Sequence, residues 1–123
     1  MNGNKLFVDT NIILYLLNGS KTLAELLNGK QFYISVITEL ELLAYKDITA
    51  QEGKVINDFI SECKIISINN AIKQETINIR KKYSIKLPDS IIIATATYLD
   101  LPIITSDKGF KKVDELTLIY FEN

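Results

Sequence analysis

Short, almost wholly apolar runs separated by longer amphipathic stretches are what most constrain the fold of this chain. The runs are Leu6-Phe7-Val8, Phe32-Tyr33-Ile34, Ile65-Ile66-Ser67-Ile68, Ile103-Ile104 and Leu118-Ile119-Tyr120-Phe121. They are too short for helices and lack apolar–polar alternation, so they read as strands buried on both faces. Such strands alternating with helices imply a parallel sheet covered on both sides, an α/β architecture. The helices fall between them, at 12–17, 21–27, 38–45, 51–63, 70–82 and 88–99. Val55, Ile56, Phe59, Ile60 and Cys63 recur at helical spacing, as do Ile72, Thr76, Ile79 and Tyr83. Pro88 is tolerated in the first turn of the last helix. Ile91, Ile92, Ile93, Ala94 and Ala96 leave that helix little polar circumference, so it is expected to be the most buried.

At 123 residues, the length predicts a single domain over 1–123, large enough to bury a real core. No apolar run approaches the roughly 20 residues of a membrane span, and the first residues do not resemble a signal peptide. A cytoplasmic protein is expected. Two scarcities narrow the chemistry. The chain has no histidine and one cysteine, Cys63, which rules out an imidazole base, a histidine triad, a structural zinc cluster and an intrachain disulfide. Catalysis is left to carboxylates, hydroxyls, lysine, tyrosine or an oxygen-bound metal. The formal net charge of −1 means that a polyanion would need local basic patches or a bound cation.

Ligand sites in parallel α/β sheets form beyond the carboxyl ends of the strands. Asp9-Thr10-Asn11 follows the first strand. Ser35 follows the second, with Glu39 and Glu41 about a helical turn further on. Thr105-Ser106-Asp107 follows the fourth, and Asp89 stands in the first turn of the buried helix, at the same rim if the crossovers have the usual hand. Each acid also has an ordinary structural explanation. Asp9, Thr10 and Asn11 are helix-capping types. Thr38-x-x-Glu41 matches a capping box. Asp89 suits a helix N-terminus, and Ser106-Asp107-Lys108-Gly109 suits a turn. What those explanations leave unaddressed is why so many acids share one rim. Clustered carboxylates repel, and a divalent cation that prefers hard oxygen ligands, Mg²⁺ or Mn²⁺, resolves the conflict. It would also activate water and stabilise an in-line phosphoryl displacement.

The residues around these acids resemble a known family. Phe7-Val8-Asp9-Thr10-Asn11-Ile12, Ile34-Ser35-Val36-Ile37-Thr38-Glu39-Leu40-Glu41, Leu87-Pro88-Asp89-Ser90-Ile91 and Ile104-Thr105-Ser106-Asp107-Lys108-Gly109 are similar, in order, to four motifs of the PIN-domain nucleases. Within that family the chain most resembles the VapC-like toxins of type II toxin–antitoxin pairs. The resemblance implies a three-layer α/β/α domain with a central, mainly parallel five-stranded sheet. It selects Glu41 over Glu39, and implies a metal-dependent endoribonuclease. Asp9 and Asp107 would be the main direct ligands of Mg²⁺ or Mn²⁺. Glu41 and Asp89 would act more through water, and Thr10, Asn11, Ser35 and Thr105 would support the site by hydrogen bonds. It further implies an RNA substrate, a VapB-like antitoxin and a homodimer, for which the helices around 12–17 and 55–60 offer faces. Lys108, Lys46, Lys111, Lys112 and the Arg80-Lys81-Lys82 run are candidate RNA-facing charges, although a solvated helix face explains each as well. Three other readings remain: a phosphohydrolase or phospho-acceptor with an acidic pocket, a PIN-like module that binds without cutting, and an RNA-processing nuclease outside a toxin–antitoxin pair.

Overall fold

The structure is a computed structural model that describes residues 3–122. Its elements alternate as the apolar pattern requires. They are β1 (Lys5–Val8), α1 (Thr10–Leu17), α2 (Lys21–Leu27), β2 (Gln31–Ser35), α3 (Val36–Leu43), α4 (Ala50–Ser61), β3 (Lys64–Ile66), α5 (Asn70–Lys82), α6 (Leu87–Leu99), β4 (Ile103–Thr105), a 3-10 helix (Lys108–Lys112) and β5 (Leu118–Tyr120). The five strands form one sheet in the order β3-β2-β1-β4-β5. Every pairing is parallel, with Phe7 opposite both Tyr33 and Ile103. The chain runs outward from β1 to β3 and then returns to the other side of β1 to lay down β4. The order therefore reverses between β1 and β4, the switch point at which such sheets leave a crevice beyond the strand ends.

Both faces of the central strands are apolar, as the continuous runs imply. Leu6, Val8, Ile34 and Ile104 face one layer, packed with Ile12, Ile13, Leu23, Leu42, Ile56 and Ile60. Phe7, Tyr33 and Ile103 face the other, with Ile72, Ile79, Ile92, Ile93 and Phe110. Each of these side chains contributes about 1.5–3 kcal/mol of burial. The outer strands are only three residues long, and Ile65 and Ile119 are exposed on them. Short edges of this kind offer little template for pairing with another chain.

Helix α6 is the most buried helix, as expected, with Ser90, Ile92, Ile93, Ala94, Thr95 and Ala96 all buried. Its hydroxyls are satisfied within the helix: Ser90 donates to the Lys86 carbonyl, Thr95 to Ile91 and Thr97 to Ile93. Such back-bonding lets polar side chains enter an apolar layer.

Several boundaries depart from the expected ones, among them the end of α4, at Ser61 rather than Cys63, and the start of α1, at Thr10 rather than Ile12. The third strand is Lys64–Ile66, not Ile65–Ile68. The fifth ends at Tyr120, not Phe121. Helix α3 starts at Val36, not Thr38, because the Ser35 hydroxyl, at the end of β2, accepts the Ile37 N–H at 3.0 Å and caps the helix directly. A capping box does exist, but in α4, where Thr49 and Glu52 bond each other's backbone N–H groups. Val55, on the stripe expected to pack inward, is 45 % exposed. It lines a groove of about 400 Å³ together with Leu14, Leu17, Tyr45 and Ile48. No helix among the described residues is long and apolar enough to cross a membrane.

Candidate active site

The crevice between β1 and β4 is lined by residues that leave those two strands. Asp9 directly follows β1 and is 4 % exposed. It caps α1, with Oδ1 accepting the Thr10 N–H at 2.8 Å. Its other oxygen is not used for capping: Oδ2 accepts the Thr105 hydroxyl from the last residue of β4, at 2.6 Å. That hydroxyl in turn accepts the Asp107 N–H at 3.0 Å. Asp107 then caps the 3-10 helix through the Gly109 N–H at 2.8 Å. Thr105 is wholly buried, so one hydroxyl sets the relation of Asp9 to the backbone of Asp107. Asn11 ties the same two segments, its Oδ1 accepting the Ser106 N–H at 3.3 Å.

Glu41 reaches the crevice from α3. The capping-box reading of Thr38 and Glu41 does not hold, because Thr38 is already inside the helix. Instead the Thr10 hydroxyl donates to Glu41 Oε1 at 2.7 Å and lies 3.0 Å from the hydroxyl of the buried Thr38. A hydroxyl has one proton to give, so with Glu41 taking it, Thr38 supplies the proton of the second bond. Thr10 thus serves two acids, Asp9 through its amide and Glu41 through its side chain. Asp89, in the first turn of α6, completes the group. Ser35 takes the position of a cap, and its hydroxyl is spent on α3 rather than turned to an acid.

The electrostatics record the crowding. Burial raises the Asp9 pKa to about 6, against the lowering effect of the Thr105 and Thr10 hydrogen bonds, and the charges of Asp89 and Asp107 raise it further. Asp89 is also raised, by burial first, then by Asp107 and Glu41, with Lys86 acting against them. Asp89 thus feels the charges of both Asp107 and Glu41, and its own charge acts on Asp9. Two further residues contribute. Thr38, by sequence a cap, bonds Thr10 from inside α3. Lys86 precedes Asp89 by three positions, a spacing that brings it near the same helix end.

All the candidate donors are hard carboxylate oxygens, the set suited to Mg²⁺ or Mn²⁺. Among the described residues no three acidic side chains are arranged to hold one ion all together. A cation with one or two carboxylate ligands, keeping several waters, suits that spacing better than a fully protein-enclosed ion. At Cys63, burial first, and then the Glu62 charge, pushes the thiol up to about 11.

Comparison with known proteins places this geometry. The family described as PIN domain matches residues 6–116, which takes in β1 through the 3-10 helix and all four acids. The chain belongs to the PIN domain family. Among relatives, this PIN domain is 28 % identical to "Ribonuclease VapC2" of Methanocaldococcus jannaschii, over 97 % of this chain and 95 % of that protein. Among solved structures it is similar to a chain of a toxin–antitoxin complex from Klebsiella pneumoniae. There the identity is 29 % and the TM-score 0.80, over 93 % of this chain and 95 % of the other. It also shares its fold with a chain of VapBC2 from Rickettsia felis, bound to a DNA fragment from its promoter. That match has a TM-score of 0.85 at 20 % identity, over 96 % and 99 % of the two chains.

Proposed function

We propose that this PIN domain is a metal-dependent endoribonuclease, the toxin of a VapBC-type pair, which hydrolyses RNA phosphodiester bonds. The observation that carries the reading is Asp9, a nearly buried carboxylate kept between two further acids. Its pKa of about 6 marks a carboxylate whose charge lacks compensation. A structural cap would need only one of its oxygens, and the second is aimed by a buried hydroxyl from another strand. When bound, Mg²⁺ or Mn²⁺ would supply the missing positive charge and a water acidic enough to attack phosphorus in line as the P–O bond breaks.

The protein's own residues provide position. Asp9 and Asp107 are the direct ligands in this reading, held in register through Thr105. Glu41 and Asp89 act through water, and Glu41 is oriented by Thr10. Thr10, Asn11 and Thr105 hold the strand ends together, while Ser35 contributes only by starting α3 where it does. The toxin assignment draws on the near-complete overlap with a named VapC ribonuclease and with a chain of a toxin–antitoxin complex. It brings an antitoxin as partner and a homodimer as the expected assembly. The α1–α4 groove and the exposed Leu40, Leu43 and Leu87 are apolar surfaces available to them.

The test is digestion of total RNA with Mg²⁺, with Mn²⁺ and with a chelator, for the wild type and Asp9→Asn. Cleavage should require the metal and be lost in the variant, whose thermal unfolding stays cooperative. Equal cutting by the variant, or by the wild type in chelator, would sink the mechanism.

A further inference from the structure

The two flanks of the acid group differ in kind. Towards α3 lies a depression lined by Ile37, Leu40, Ala44, Leu87, Pro88 and Ile91, with Glu41 as its one charged side chain. On the other flank two depressions adjoin, sharing Ser84, Ile85 and Lys86. The inner one, about 200 Å³, has Asp89 and Asp107 at one end and Lys112 on its wall. The outer one, about 420 Å³, runs on to Arg80 and Tyr83.

The structure also sorts the basic residues. Lys82 is paired with Glu115 at 3.5 Å, and Lys111 sits over the Tyr120 ring at 3.9 Å. Lys112 instead donates to the Ser84 carbonyl and Arg80 to the Ile85 carbonyl, each at 2.8 Å. An ammonium has three donors and a guanidinium five, so both keep donors for a ligand. Lys86 lies between them, close enough to oppose the upward shift of Asp89. None of Lys86, Lys112 and Arg80 has a salt-bridge partner among the described residues. Three cations therefore follow one trough that leads away from the carboxylates.

We infer that this trough carries the RNA backbone beside the cut, with Lys86 as the positioning residue for the phosphate next to the scissile one. The inference rests on the nuclease reading above. A bound ion neutralises the phosphate it touches, but a neighbouring phosphate would otherwise meet the field of Asp89 and Asp107. On a chain of net charge −1, binding a polyanion needs cations at that point. The basic flank supplies them and the apolar flank does not.

The test measures binding of a short single-stranded RNA in chelator, across a salt series, and turnover in Mg²⁺. Lys86→Ala should weaken binding about fivefold and flatten the slope of log affinity against log salt by about 0.7, one single-strand phosphate contact. In turnover KM should rise by a similar factor with kcat held. Lys86→Arg should restore binding, and Lys81→Ala, on the same basic run but outside the trough, should change nothing. Unchanged melting temperatures would confirm that each variant is folded. Wild-type affinity and slope in Lys86→Ala overturn the inference, as does an equal loss in Lys81→Ala. A protein that cuts RNA but ignores Lys86 loses the trough alone. One that binds through Lys86 without cutting keeps the trough and loses the nuclease reading.

Discussion

Asp9 and Glu41 are both acids of the same crevice, and the fold holds them in opposite ways. Asp9 is placed by the sheet. It sits at the end of a central strand, nearly buried, with each oxygen bonded and one of the donors on the neighbouring strand. Glu41 is placed by a tether. It is exposed on α3 and receives the hydroxyl of Thr10. Moving Asp9 would disturb the register of β1 and β4, whereas moving Glu41 needs only a change of rotamer. Under the proposed function the difference becomes a division of labour: a rigid pair, Asp9 and Asp107, that would fix where an ion sits, and an adjustable acid that would meet water or substrate on arrival.

If that division holds, the largest loss should follow Asp9→Asn. Removing the charge from the rigid half should lower the cleavage rate by about a thousandfold or more, the scale of losing a central electrostatic contributor. A loss of only severalfold would place the ion elsewhere. The next effect is on stability and needs no substrate. In metal-free protein the folded Asp9 keeps its proton up to about pH 6, while the unfolded chain releases it near 3.8. The folded state therefore binds more protons between those values, and stability must fall as pH rises through them. The shift corresponds to on the order of 3 kcal/mol. Asp89 acts in the same direction. Glu52 and Glu115, whose pKa values are lowered, act oppositely, their contribution fading as pH drops below the ordinary glutamate range. Urea unfolding in chelator should show the decline between about pH 4 and 6, and Asp9→Asn should remove most of it. Added Mg²⁺ should restore stability at pH 7 in the wild type only. A wild type that gained stability over that interval would mean that Asp9 is not the strained group.

Glu41→Gln belongs to the adjustable half, and its effect should be smaller. Residues that act on a metal through water or a second partner are worth about 10- to 100-fold. Turnover of a defined RNA in Mg²⁺ should fall within that range with the affinity for metal little changed. A loss equal to that of Asp9→Asn would erase the distinction between the two halves.

The same contrast explains what could be read before the structure. Strand positions and the burial of α6 follow from apolar runs, and α2 and α5 keep their expected limits because Ser20 and Asn69 cap them locally. The start of α3 is ambiguous in sequence because Ser35 and Thr38 are both good caps, three positions apart. Only the end of β2 decides between them. Asp9 follows β1 directly and Asp107 stands two residues past β4, so topology alone points to them. The choice of Glu41 over Glu39 depends on the rotation of α3, set by the burial of Thr38 and Leu42 and by a hydroxyl on another helix. Lys86 carries no signal in sequence for a similar reason: its relation to Lys112 and Arg80 exists only once the 84–86 loop is folded against the 3-10 helix.

The smallest effect is also the one that bears most directly on the tether. Thr10→Val leaves the amide that bonds Asp9 and removes the hydroxyl that holds Glu41. It should slow cleavage by a few-fold. It should also cost about 1–3 kcal/mol of stability, because the Thr38 hydroxyl, wholly buried, loses its partner. Thr10→Ser, which keeps the hydroxyl, should cost much less of either. The decisive quantity is the double-mutant cycle with Glu41→Gln. If Thr10 acts on turnover only by aiming Glu41, the double variant should cut no more slowly than Glu41→Gln alone, a coupling within the range seen for directly bonded pairs. If the two losses multiply, Thr10 works instead through Asp9, and the division between a sheet-held acid and a tethered one would have to be redrawn around a single rigid unit.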